Sequence, residues 1–360
     1  AHGSVELAAG DSDNDDIVML APIPSNAAVP SIFIGSDSFG GSCTFNVGIY
    51  TTDGAVKDED VFATDVADAA AMADVRFEAA DIDDVNIGCG NQAGEDSRCV
   101  ARHAVLLAGL PIEIPGSVVQ RNCGSGMNAI ISAAHAITCG EGDLIVAGGV
   151  ESMTRAPFVV GKAETAFAKS FPSFESSLGA RFPNPKIENE FGADTMPETA
   201  DNLAREFQLS REEVDNFAAE SQSKYAAAKA DGFYNEELMA IMVPGERKKP
   251  DVSVGEDEHP RPGTNLETLG GMRPLFSGGV TTAGNASGIN DGAAAVIVAS
   301  MEKGEQAGAK PMARVLSTGV AGVEPRVMGY GPVPAAQKAL DRAGLTLTDM
   351  DVVEINEAFA

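Results

Sequence analysis

The stretch VVQRNCGSGMNAI, residues 118 to 130, sets one cysteine, Cys123, between a β-branched run and an apolar, small-residue helix pattern. A thiol becomes a useful nucleophile when its thiolate is stabilised, and a strand-to-helix turn does this through free backbone N–H groups and the helix dipole. Gly124 and Gly126 remove Cβ bulk on the approach side. The N–H groups of the turn could then hold an oxyanion while an acyl group forms on sulfur. From this window alone a second reading stays open, that of a small cysteine packed beside a buried helix. Of the other cysteines, Cys89 follows an apolar strand, Cys99 is placed on a helix face beside Arg98, and Cys139 stands just before a helix stop at Gly140. These three read as core or surface filler. Cys43 lies in a Gly/Ser-rich stretch with no partner motif.

Two further stretches carry candidate chemistry. In TTAGNASGINDGAAAVIV, 281 to 298, three glycines punctuate polar residues ahead of an apolar run. Such a loop lets a ligand approach the backbone and offers Asn285 and Ser287 as hydrogen-bond donors. No lysine follows the glycines, so it is not a nucleotide-triphosphate loop. In EINEAFA, 354 to 360, Asn356 leaves the end of an expected strand, where α/β folds place catalytic groups; the alternative is a cap on the next helix.

The elements that must position these residues follow from the periodicity. From Ile82 onward, short β-branched runs (DVNIGC, SVVQ, DLIVAGG) alternate with helix-like stretches (ARHAVLLAGL, GMNAIISAAHAI), the pattern of an α/β sheet with crossover helices. Between about 153 and 279 the chain turns charged and helical, then Pro-rich, without sheet-like alternation, and reads as an insertion. The sheet pattern then resumes over AAAVIVAS, ARVLSTGV and DVVEIN, with a helix over PAAQKALDRAG. The segments AADIDDVNIGCGNQAG and LTLTDMDVVEINEAFA share a layout, which suggests two related halves.

Composition bounds the functional classes. With 360 residues, 44% of them hydrophobic, the chain can fill sizeable cores. Its 25 Lys and Arg against 53 Asp and Glu, a net charge of -28, speak against nucleic acid and against anionic membranes. The acidic surface suits either a salt-rich cytoplasm or a basic partner. No apolar run of about 18 residues is present, so no membrane span is expected. The first 56 residues hold neither Lys nor Arg, so a secretory leader is not indicated and a cytoplasmic location is expected. Five scattered cysteines without a CxxC pair argue against a disulfide framework and against a zinc site.

Taken together, NCGSGMNAI, GGVESMTRAP, TAGNASGINDGAAA, RVMGYGPVPA and EINEAFA resemble the thiolase family, CoA-dependent enzymes that make or cleave a β-ketoacyl thioester. The likeness runs from about Val85 to Ala360. Within the family, GCGNQAGEDSRCVARHAVLLAGLP, ESMTRAPFVVGKAE and DTMPETADN are most similar to the 3-oxoadipyl-CoA (β-ketoadipyl-CoA) thiolases of aromatic degradation. The resemblance implies an α/β, layered αβαβα fold of two similar halves. Its expected divisions are an acidic disordered tail over 1–27, an N-terminal half over 28–152, an inserted loop domain over 153–279 and an incomplete C-terminal half over 280–360. It implies a homodimer or homotetramer acting on acyl-CoA and CoA, with no permanently bound cofactor and no metal.

Position by position, the resemblance makes Cys123 the acylated nucleophile and Asn356 the residue whose bound water helps hold the thioester oxygen. It places Ser287 along the pantetheine, Met196 and Met328 in apolar contacts to it, Arg261 near the CoA nucleotide and Phe359 on the tunnel wall. The GHPxG and CxGxG turns that thiolases carry after NEAFA do not occur in the sequence, and none of His2, His103, His135 or His259 replaces the first by motif. An RTPxGxxxGxL-like opening is also missing, with SIFIGSDSFGGSCTFNVGIY in its place. The expectation is therefore an acyltransferase, β-ketoacyl-CoA thiolysis or its reverse, with impaired activity. The alternatives are a non-catalytic CoA-binding scaffold, an acetoacetyl-CoA thiolase and a decarboxylating condensing enzyme.

Overall fold

The computed structural model describes residues 34–35, 46–47, 77, 79–163, 165–245 and 249–360. The tail expected over 1–27 and Cys43 lie outside them. In chain order the main elements are β1 (Asp84–Gly88), α1 (Val100–Leu107), β2 (Ser117–Val119), α2 (Ser125–Cys139) and β3 (Leu144–Glu151). Next come β4 (Phe158–Val160), β5 (Ser173–Glu175), α3 (Pro185–Phe191), α4 (Met196–Phe207), α5 (Arg211–Ala230), β6 (Ile241–Val243) and β7 (Val252–Val254). The last are α6 (Leu266–Gly270), β8 (Gly292–Ala299), α7 (Met301–Gln306) and α8 (Pro332–Ala343). They group into two compact units, one of Ala1–Ala156, Met239–Gly255 and Asn290–Arg314, the other of Pro157–Leu238, Glu256–Ile289 and Val315–Ala360.

The first unit is built on a four-stranded sheet in the order β8-β3-β1-β2. The strands β1, β2 and β3 run parallel, as the helical crossovers α1 and α2 require, and β8 joins β3 antiparallel, Gly292 opposite Glu151 through Ala299 opposite Leu144. Side chains alternate across the sheet, so its two faces receive different helices. One face packs Val85 and Ile87 against Ala101 and Val105 of α1 and against Ile114. The other packs Ile145 and Ala147 against Ala129 and Ala133 of α2. Those two alanines are fully buried, and their small size lets α2 lie close on the strands. Gly140 ends α2 in the left-handed conformation (φ 75°), the stop its position implies.

The second unit is mainly helical. Its longest helix, α5, opens on Ser210, whose hydroxyl accepts from Glu213 N while the Glu213 carboxylate accepts from Ser210 N, so two first-turn donors are satisfied reciprocally. The hairpin β4–β5 belongs to this unit and β6–β7 to the first. Both fall inside the stretch read as free of sheet, because three-residue strands are too short to show alternation.

Two expected strands do not form. Residues 313–320 and 351–356 join no ladder among the described residues. The first stretch is held along α8 instead: Arg342 Nη1 donates to Thr318 O at 2.6 Å, Lys338 Nζ to Val320 O at 3.1 Å, and Ser317 Oγ donates to Ala339 O at 2.6 Å. Side chains of the helix take up carbonyls that a neighbouring strand would otherwise engage. In the second stretch Val352, Val353 and Ile355 are exposed.

Candidate active site

Cys123 lies in the first unit, on the bend between β2 and α2, and its side chain is exposed. The bend is made by Asn122 at φ 46°, a left-handed conformation that asparagine tolerates better than most residues. Ser125, buried at 4% exposure, staples it: its hydroxyl accepts from Arg121 N at 2.7 Å and donates to Asn122 O at 2.6 Å. Gly124 N and Ser125 N donate to Arg121 O and Asn122 O, each at 3.0 Å. No side chain caps α2, so donors of its first turn remain for a ligand beside the sulfur. The core-cysteine reading of Cys123 is thereby set aside.

The glycines play other parts than expected. An added Cβ at Gly126 would come no closer than 3.8 Å, to Gly149 Cα on the sheet side, and at Gly124 no closer than 3.5 Å, to Arg121 O. The tight approach is at Gly88, at the end of β1, where a methyl would overlap the backbone of Ser125 and Gly126. Gly88 thus brings the strand against the first turn of α2. The sequence signal was there, since a glycine inside an apolar strand marks close backbone approach.

Behind the bend lies a second thiol. Cys89 is 1% exposed, and its Sγ stands 3.8 Å from carboxylate oxygens of both Asp96 and Glu151. These donors lie within 4.8 Å of one another, a spacing that could hold a cation. Both Glu151 oxygens already accept backbone N–H groups, Oε2 from Gly90 at 2.8 Å and Oε1 from Asn91 at 2.9 Å. Burial first, and the Glu151 charge second, push the Cys89 thiol up to about 11. Cys89, Asp96 and Glu151 form a hydrogen-bonded strut that ties the end of β1 to β3. Cys99 does not lie within the helix face; it precedes α1, and its Sγ donates to Gly116 O at 3.2 Å.

The raised Cys89 value has a signed consequence. Its protonated form is favoured by folding, so its stabilising effect is full below about 9, the ordinary thiol value, and is lost as pH rises through about 11. Urea midpoints should therefore fall over that interval, and less so in Cys89→Ala. At pH 8 iodoacetamide should label exposed Cys123 and Cys139 while leaving Cys89 intact in the folded protein, as peptide mass spectrometry would show.

The other six candidates all lie in the second unit. Ser287 is exposed, and its backbone N donates to Ala358 O at 3.0 Å. Ala286 and Phe359 form an antiparallel bridge, and Ala360 N donates to Asn285 O at 3.0 Å. The structure thus brings Ser287 and Phe359 together, with Asn356 three residues before Phe359 and exposed. Asn356 leaves no strand, contrary to expectation. Asn285 is not a ligand donor either: it is 4% exposed, its Nδ2 donates to Asp215 and Val280 O, and its Oδ1 accepts from Thr282 N.

Met196 begins α4, and Met328 lies in the 3-10 turn Pro325–Tyr330 that packs against that helix; both are about two-fifths exposed. Arg326 Nε donates to Asp194 Oδ2 at 2.8 Å, and Asn202 Nδ2 donates to the same oxygen and to Arg326 O, which locks turn to helix. Phe207 and Tyr330 stack with centroids 5.6 Å apart. Arg261 is exposed; its N donates to Gln222 Oε1 at 3.0 Å and its guanidinium turns back onto the Glu258, His259 and Pro260 carbonyls. The His259 ring lies so close over Gly288 that a methyl there would overlap it.

Comparison with known proteins matches these two sets of residues to one family. The model described as "Thiolase, N-terminal domain" covers residues 52–302, and "Thiolase, C-terminal domain" covers 309–360. The chain belongs to the thiolase family. It is 52% identical over 286 residues to the 3-oxoadipyl-CoA/3-oxo-5,6-dehydrosuberyl-CoA thiolase of Escherichia coli K12, over 79% of this chain and 71% of that one. It is 52% identical over 280 residues to the β-ketoadipyl-CoA thiolase of Pseudomonas putida, covering 78% and 70% of the two chains. The crystal structure of the Bacillus anthracis acetyl-CoA acetyltransferase superposes with a TM-score of 0.70 at 37% identity, over 79% of this chain and 70% of that one. The thiolase fold, and acyltransferase chemistry as the activity of the family, are thereby shown. Among the described residues no helix is long and apolar enough to cross a membrane.

Proposed function

We propose that this thiolase cleaves 3-oxoadipyl-CoA by way of an acyl-Cys123 intermediate. The observation that carries the reading is the exposed sulfur on a stapled bend at an uncapped helix start. The names of relatives at about half identity supply the substrate. The Cys123 thiolate attacks the C3 keto carbon, the C2–C3 bond breaks, and the two-carbon fragment takes a proton at C2 and leaves as acetyl-CoA. The succinyl group left on sulfur passes to the thiol of a second CoA, whose proton is released as Cys123 is restored. Helix-start N–H groups stabilise the oxyanion formed on attack.

CoA is a substrate here, not a resident cofactor. Ser287 and the apolar Met196, Met328 and Phe359 receive its pantetheine, Arg261 its nucleotide end, and Asn356 orients a water on the thioester oxygen. A homodimer or homotetramer fits Val296 and Ile297, apolar and exposed on β8, an edge strand among the described residues, and light scattering would give the number.

The test is mass spectrometry after exposure to 3-oxoadipyl-CoA, which should place a succinyl group on the Cys123 peptide. An acetyl group taken from acetoacetyl-CoA, with no adduct from 3-oxoadipyl-CoA, would move the substrate to the shorter chain. CoA binding without any adduct would favour the scaffold reading.

A further inference from the structure

Two aspartates of the second unit are buried where helices usually meet solvent. Asp201 on α4 is 5% exposed and Asp215 on α5 is 3% exposed. Both face the 279–288 loop from behind. Asp201 Oδ1 accepts from Val280 N at 2.9 Å, Thr281 N at 3.0 Å and Thr281 Oγ1 at 2.8 Å. Its Oδ2 is buried without a hydrogen-bond partner, pressed against Gly279, where any Cβ would overlap it. Asp215 Oδ1 accepts from Asn285 Nδ2 at 2.9 Å, and its Oδ2 accepts from Arg211 Nε at 2.7 Å. Arg211 in turn donates to the Leu269 and Met272 carbonyls.

Burying a carboxylate with one oxygen unserved is costly, and an apolar residue would join α4 to the loop more cheaply if packing were all that was needed. What a carboxylate does, and an apolar residue cannot, is fix the directions of several N–H groups at once. Through Thr281, Thr282 and Asn285 that constraint reaches the backbone that pairs with Ala358 to Ala360, and so the place of Ser287. We propose that Asp201 and Asp215 are positioning residues that hold the 279–288 loop in its CoA-receptive shape before any ligand arrives. A loop already ordered loses less freedom on binding, so its tightness to CoA depends on two side chains that touch no ligand.

This role rests on the loop being a CoA contact, and the experiment separates the two. In the full chain, Thr281→Val removes one donor to Asp201 at constant shape, Asp215→Asn weakens the hold on Asn285, and Ser287→Ala removes the direct contact. Calorimetry gives the CoA dissociation constant, and the rate of Cys123 alkylation by iodoacetamide reports the nucleophile bend. All three variants should bind CoA about tenfold more weakly, the scale of one well-placed hydrogen bond, with the alkylation rate unchanged. If Ser287→Ala weakens binding while Thr281→Val and Asp215→Asn bind as the parent does, the positioning role falls and the contact stands. If Ser287→Ala binds as the parent does, the contact falls and the positioning role with it. A matching drop in alkylation rate would mean general loosening and overturns the proposal; should Asp215→Asn not fold, Thr281→Val decides.

Discussion

Cys123→Ala should carry no succinyl adduct after exposure to 3-oxoadipyl-CoA, and its acyl transfer should fall to the uncatalysed level, since the covalent route needs the sulfur. The reason lies in how little else the side chain does. Its surroundings are built by Asn122, Ser125 and Arg121 through backbone and hydroxyl hydrogen bonds, none of which uses the sulfur. Removing an exposed Sγ should leave stability within about 0.5 kcal/mol of the parent. Thermal unfolding followed by circular dichroism would check that half of the statement, and the adduct the other half. An adduct that persisted in the variant would move the nucleophile elsewhere.

The second large effect is expected at Gly88. Its Cβ position is occupied by backbone atoms of Ser125 and Gly126, which cannot step aside as a side chain tip would. Gly88→Ala must therefore push β1 and the start of α2 apart, breaking the packing behind the bend that carries Cys123. A cost of about 3 kcal/mol is expected from overpacking of this kind, together with slower Cys123 acylation per folded molecule. Gly126→Ala is the matched control. Its added methyl meets nothing nearer than 3.8 Å, so urea midpoints should separate the two variants clearly. Equal midpoints would show that the strand yields, and that the close approach is no constraint.

The four-stranded sheet and its crossover helices were largely legible in the sequence, because β1, β3, α1 and α2 are long enough to show a period and Cys123 sits where one period gives way to another. The strands expected over ARVLSTGV and DVVEIN failed for a reason periodicity does not contain. Alternation says that a stretch can join a ladder, while a ladder also needs a neighbour, and 313–320 finds the side chains of α8 instead. Asn285 was misjudged for a related reason: a polar residue in a glycine loop reads as ligand-facing, yet its amide is consumed by Asp215 and Val280. Asp201 and Asp215 left no signal, since acidic residues in a charged helix pattern read as solvated and only tertiary packing buries them.

The pairing of β8 with β3 also bears on how the molecule assembles. The three parallel strands and their crossovers are near neighbours along the chain, whereas Gly292–Ala299 must return from beyond the whole of the second unit's first two segments to find Leu144–Glu151. Closing so long a loop is slow relative to local docking. The antiparallel strand is therefore expected to dock after the parallel core and its bend, as a clasp whose weakening should quicken unfolding while leaving the refolding rate nearly untouched.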